Sequence, residues 1–179
     1  MSRERFTFFW DGPFSQWHRS PFMLDSARYL TGEQYMMAAK ARLFGDEESL
    51  SRIMAAEEPS DQKALGRSVR GFDRRAWQKV ARDIVYRGNR AKFTTHRDLL
   101  ALLLATEGTT LVEASPFDTI WGIGLAEDDP LASDRSAWRG MNWLGETLTR
   151  LRGDLLAEQR VAGIAEIEAR VARKAKARA

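Results

Sequence analysis

The chain contains no cysteine. That removes disulfides, thiolate metal sites and a cysteine nucleophile together. Histidine is nearly as scarce, with His18 and His96 alone. A structural zinc site would have no adequate donor set, so no metal is expected. No apolar run reaches the roughly 20 residues of a membrane span. The longest, Leu99-Leu-Ala-Leu-Leu-Leu-Ala105, has the length of a core helix. The opening Met1-Ser-Arg-Glu-Arg5 has no apolar signal core, so a cytoplasmic location without a membrane partner is expected. Walker sequences are missing, and Gly122-x-Gly124 lacks the third glycine of a dinucleotide fingerprint. Ser-His-Asp chemistry has no recognisable elbow. No cofactor is expected.

What is present suits one globular domain. There are 179 residues, 44% of them hydrophobic, enough to build a core. The sequence pI of about 9.4 overstates how basic most of the chain is. Residues 160–179 hold Arg160, Arg170, Arg173, Lys174, Lys176 and Arg178 against Glu166 and Glu168. That segment is net +4 in a chain of net +3, so residues 1–159 are net −1. A basic end of this kind can meet nucleic-acid phosphates. It also suits a solvated helix terminus, where cations oppose the dipole.

Phe6-Thr-Phe-Phe-Trp10 reads as a strand. Asp11-Gly-Pro13 marks a turn, and Pro21-Phe22-Met23 resumes a short apolar segment. A helix begins at Thr31 or Gly32 and stops at Gly45. Others cover about Asp46 to Ala56, from Pro59 past Gly66, from Asp73 to about Lys92, and from about Thr95 to Thr106. Thr110-Leu-Val-Glu113 is a second strand, ended by Pro116. The polar stretch 126–138 is long enough to cover a site. A last helix runs from about Asn142 to beyond Arg170, with Leu144, Leu148, Leu151, Leu155 and Leu156 as its apolar stripe. Gly153 and Gly163 should weaken it locally.

Four constellations carry possible chemistry. Glu113 and Asp118 stand close together, with Trp121 and Gly122-x-Gly124 just after. Two carboxylates beside an indole suit a site that binds a flat polar ring and moves a proton, and the glycines let backbone approach a ligand. Glu33 and Lys40 are seven residues apart on one helix, so they share a face with Met36 and Met37. They suit a buried catalytic pair or an ordinary amphipathic edge. Lys63 and Arg67, four apart, suit a phosphate grip or a solvated face, and Arg70 and Arg74 extend the cationic run. Gly140-Met-Asn142 opens the last helix, where free N–H groups favour an anion and Asn142 is a good cap.

In order along the chain stand Phe8-Phe-Trp10, Ser15-Gln-Trp17, Tyr29-Leu-Thr-Gly-Glu33-Gln-Tyr35 with Ala39-Lys40-Ala41, and Lys63-x-x-Gly66-Arg67. Ala91-Lys92-Phe93, Leu103-Leu-Ala-Thr106, Leu111-Val-Glu113, Asp118-x-x-Trp121-Gly122-x-Gly124 and Asn142-x-Leu144-Gly145 follow. From about Phe8 to Leu156 this series resembles the NADAR family, which includes YbiA-like N-glycosidases. The resemblance implies a compact, mainly α-helical single domain with a few short strands. It ends before the basic helical tail, which divides the chain into 1–159 and 160–179.

The resemblance further implies cleavage of the N-glycosidic bond of ribosyl compounds, such as phosphorylated early intermediates of riboflavin synthesis. Its alternatives are removal of ADP-ribose from guanine in nucleic acid, and a non-catalytic ADP-ribose-binding module. The implied partner is thus a ribosyl phosphate or ADP-ribosyl substrate. Glu33, Lys40 and Asp118 match the family's catalytic positions. Trp10, Trp17, Lys63, Arg67, Glu113, Trp121, Gly122 and Asn142 are the expected substrate contacts. Gly32 stands where a serine is common and Gln34 where a histidine is common.

Overall fold

This computed structural model describes residues 4–176, with their side chains except at position 167 and from 169 to 176. The side chains of Arg170, Arg173, Lys174 and Lys176, and all of Arg178, therefore lie outside the described residues. Six α-helices dominate: α1 (Gly32–Leu43), α2 (Glu47–Ala55), α3 (Pro59–Arg67), α4 (Arg74–Thr95), α5 (Arg97–Ala105) and α6 (Trp143–Lys176). Four short strands accompany them: β1 (Phe6–Phe9), β2 (Phe22–Leu24), β3 (Ala27–Tyr29) and β4 (Thr110–Glu113). Single 3-10 turns occupy Gly12–Phe14 and Arg135–Ala137. Among the described residues no helix is long and apolar enough to cross a membrane.

The helix starts follow from side chains that accept orphan N–H groups. Thr31 Oγ1 accepts from Gln34 N at 3.0 Å, Asp46 Oδ1 from Ser49 N at 3.2 Å, and Asp73 Oδ1 from Ala76 N at 2.6 Å. Pro59 opens α3, where its missing N–H costs nothing.

α1 is the central element. Nine of its twelve residues are buried, including Glu33 and Lys40. A helix buried nearly all round is a core helix, so the amphipathic-edge reading of Glu33 and Lys40 does not hold. α2, α3 and α4 pack around it, and α6 lies across α4 and β4.

β1 and β4 pair in parallel, with Phe6 opposite Thr110 and Phe9 opposite Glu113. The β2–β3 hairpin and helices α1 to α5 lie in the crossover between them. Phe9 faces the main core, while Phe6 and Phe8 pack on a smaller cluster of Val112, Ile123, Leu125 and Ala132. The stretch 126–138 closes this small cluster: Trp138 packs there and donates its Nε1–H to Ala132 O at 2.8 Å. It lines neither cavity described below. The expectation that it covers the site is therefore corrected.

α6 runs unbroken through Gly153 and Gly163. Leu144, Leu148, Leu151 and Leu155 hold it to the core. From Ala157 through Glu166 it is exposed, with Arg160 paired to Glu107 at 2.6 Å.

Candidate active site

The loop before β2, one face of α1 from Glu33 to Lys40, the α3 face and the end of β4 converge on two adjoining cavities of about 260 and 510 Å³. Ser15, Trp17, Lys63, Arg67, Glu113 and Asp118 line both. Glu33, Lys40, Met36, Met37, Trp77 and Trp121 line the inner one alone, and Trp10 and Phe117 the outer one alone.

Glu33 sits in the first turn of α1 and is 3% exposed. Its N–H donates to Gln16 O at 2.9 Å, and its Oε1 has no hydrogen-bond partner among the described residues. Burial pushes its carboxyl up to about 7. Lys63, the Trp17 indole and Arg67 pull it down, while Asp118 pushes it further up. The helix N-terminus favours an anion, yet desolvation wins here.

Glu113 ends β4, and its Oε2 is also buried without a hydrogen-bond partner among the described residues. Burial, with the charges of Asp118 and Glu33, raises it to about 8, against the pull of Lys63. Asp118 Oδ1 accepts from Ile120 N and Trp121 N, both at 2.8 Å. This Asx-type turn fixes the loop and aims the carboxylate at both cavities.

Lys40 is buried and forms no ion pair with Glu33. Its Nζ donates to Gly66 O at 2.7 Å and lies 4.1 Å from the Phe72 ring centroid. Burial lowers its pKa, against an upward pull from Glu33.

Lys63 and Arg67 project from one face of α3 into both cavities, and neither is in an ion pair among the described residues. Arg70 differs. It holds Asp46 at 2.7 Å and Glu48 at 3.1 Å, and Asp46 also accepts from Arg70 N. That arginine ties the loop after α3 to the start of α2. Trp17 is 44% exposed, with Lys63 Nζ 5.7 Å from its ring. Trp121 meets Trp143 edge-on at 5.7 Å. Trp10 and Phe117 are 55% and 85% exposed, with ring centroids 6.1 Å apart.

Two expected contacts lie elsewhere. Asn142 is buried and lines neither cavity. Its φ is +51°. Its side chain bridges β4 instead, accepting from Glu113 N and donating to Leu111 O, both at 3.0 Å. It does not cap α6 in the usual way, and it anchors the strand that presents Glu113. Gly122 also lines neither cavity. A Cβ there would stand 2.9 Å from Glu113 O, so the missing side chain lets the Asp118 loop close on β4. The anion end expected before α6 is occupied by the protein itself. The N–H groups of Met141, Asn142, Trp143 and Leu144 donate to the carbonyls of Thr119, Gly122, Ile120 and Trp121.

The departures at Gly32 and Gln34 also take on a structural meaning. Gln34 is 1% exposed, accepts from Leu30 N, and donates to Ile53 O and Ala56 O. It lines neither cavity. A Cβ at Gly32 would stand 2.5 Å from Gln16 Oε1, so glycine makes room for Gln16 in the inner cavity. Trp77 and Phe117 escaped sequence reading. One is a lone aromatic in a polar helix turn, the other a lone aromatic after a proline.

A family model described as the NADAR domain matches residues 8–156. N-glycosidase R617 of Acanthamoeba polyphaga mimivirus is 44% identical over 144 residues, covering 78% of this chain and 85% of that protein. N-glycosidase YbiA of Escherichia coli (strain K12) is 32% identical over 148 residues, covering 83% and 84%. The NMR structure of E. coli YbiA superimposes with a TM-score of 0.72 at 29% identity, covering 89% of each chain. Riboflavin biosynthesis protein PYRR, chloroplastic, of Arabidopsis thaliana is 34% identical over 116 residues, which is 63% of this chain and 18% of that longer protein. The chain belongs to the NADAR family and is, like its relatives of matching length, an N-glycosidase.

Proposed function

We propose that this enzyme hydrolyses the N-glycosidic bond of a phosphorylated ribosyl compound, of the kind found among early riboflavin-synthesis intermediates. The carrying observation is one cavity system in which Glu33, Glu113 and Asp118 face Lys63 and Arg67, two cations that form no ion pair among the described residues. The riboflavin name of the PYRR relative supports the same substrate class.

In this reading the base lies in the inner cavity against Trp121. Lys63 and Arg67 hold the phosphate. Glu33, still protonated near neutral pH, gives its proton to the leaving nitrogen. Asp118 stabilises the positive charge that builds on the ribose as the C–N bond breaks. Water then adds to the anomeric carbon and loses its proton to a carboxylate. The test is a panel of ribosyl compounds, measured for released base and sugar phosphate. Release from phosphorylated members supports the reading, and no release from any member overturns it.

Lys40 offers a second route to the same products. The ribose ring opens, and the neutral amine captures its carbon as an imine while the base leaves. Water then hydrolyses the imine. Burial favours the neutral amine. Borohydride during turnover should then leave a ribosyl mass on Lys40. If the adduct is missing and Lys40→Arg is active, direct hydrolysis stands.

The outer cavity favours one alternative substrate. Trp10 and Phe117 continue the site beyond Lys63 and Arg67 with two exposed rings. That extension suits an ADP-ribosyl group on guanine, in nucleic acid or bound without turnover. Removing residues 160–179 should leave turnover of a small ribosyl phosphate unchanged. On a modified strand, a nucleic-acid enzyme should lose activity with the tail, most clearly at low salt. Equal loss on both substrates would make the tail structural.

A further inference from the structure

α4 carries two buried polar side chains that the chemistry above leaves unused. Lys92 is fully buried, and among the described residues it forms no ion pair. A lysine is almost never buried in this way without a partner. Its Nζ donates instead to Pro13 O at 2.7 Å and Ser15 O at 3.0 Å. One turn earlier, Asn89 Nδ2 donates to Gln16 Oε1 at 2.9 Å. Both contacts fall on the loop that leads into the active site. In that loop Trp17 N is tied to Ser15 Oγ at 3.1 Å, and Gln16 O accepts from Glu33 N at 2.9 Å. Apart from the short turn Gly12–Phe14, residues 10–20 have no helix or strand of their own. The pins from α4 therefore hold the backbone that carries Trp17.

We propose that Lys92 is a positioning residue for the hydrolysis: through the Pro13 and Ser15 carbonyls it holds the loop that carries Trp17 and accepts the Glu33 N–H, so that the indole stands beside Glu33 in the inner cavity and leaves that carboxyl acidic enough to give its proton to the leaving nitrogen. The indole lowers the pKa of Glu33, since a donor to a carboxylate favours its charged form. Burial brings Lys92 itself down to about 7. Ammonium and neutral amine both supply the two donors, so the clamp holds across the range in which Glu33 titrates. Glu33 is faced by Lys40 from its own helix, Lys63 and Arg67 from α3, and Glu113 and Asp118 from β4 and the loop after it. Among the described residues, His18 feels the charge of Lys92.

The proposal rests on Glu33 being the acid of the reaction, but its test needs no substrate. Full-length protein carrying carboxyl-labelled glutamate is titrated by carbon NMR, with the Glu33 signal assigned from Glu33→Gln. Lys92→Met and Trp17→Phe should each raise the Glu33 midpoint by roughly half a pH unit or more. The double variant should raise it no further than Trp17→Phe alone, because both act through one contact. If Lys92→Met does not fold, Lys92→Gln replaces it: its shorter stem does not span to both carbonyls, so the same rise in the Glu33 midpoint is expected. A lower melting temperature with an unmoved midpoint would make Lys92 merely structural and overturn the proposal. An unmoved midpoint in Trp17→Phe, or additive shifts in the double variant, would overturn it too. The panel of ribosyl compounds decides the substrate reading separately.

Discussion

Glu33→Gln should bind a ribosyl phosphate as the parent does, yet turn it over about two or more orders of magnitude more slowly. The amide keeps the shape of the buried side chain and loses only the proton to be delivered. Its stability should not fall. Burial raises Glu33 from its ordinary 4.5 to about 7. Between those values the folded chain keeps a proton that the unfolded chain has lost, so stability declines as pH rises through that window. Glutamine has no such decline. The melting temperature of the variant should therefore gain on the parent from about pH 5 to pH 7. Parent turnover should fall above about 7, as the acid form is lost. A variant that turns over at the parent rate would transfer the proton role to Glu113, which burial places near 8. A non-catalytic reader would bind equally in both forms and release no base in either.

The helices were legible because their start signals are local. Thr31, Asp46 and Asp73 each accept an N–H within their own next three residues. The β2–β3 hairpin was not legible. Its turn uses Asp25 and Ser26 at φ +51° and +63°, where asparagine and glycine would have announced it. The Glu33 and Lys40 spacing placed both on one face, but whether that face was core or water depended on what α2, α3 and α4 bring to it. Asn142 shows the same limit. As a residue type it suits a cap, yet its side chain serves β4, far away in sequence. Local chemistry was readable from the sequence. The partner across the fold was not, and for the α6 N-terminus that partner removed the expected anion site.

Replacing Lys63 and Arg67 together by alanine should raise KM for a ribosyl phosphate by roughly two orders of magnitude while kcat changes far less. A hydrogen bond to a charged group contributes about 1.5–3 kcal/mol, roughly tenfold or more in affinity. The two effects need not add, because both cations would share one phosphate. The variant should also lose its preference for a phosphorylated substrate over the same compound without phosphate. Both cations hold the Glu33 carboxyl down, and Lys63 does the same for Glu113. Their removal should therefore move the falling limb of the pH profile upward. Arg70→Ala is the control from the same cationic run. Its guanidinium is engaged with Asp46 and Glu48, so the change should lower the melting temperature and leave KM alone. Steady-state kinetics on paired phosphorylated and unphosphorylated substrates, across pH, reads all of these at once. An unchanged KM in the double variant would place the phosphate elsewhere. A loss confined to kcat would make the two cations electrostatic partners of the carboxylates rather than a phosphate grip.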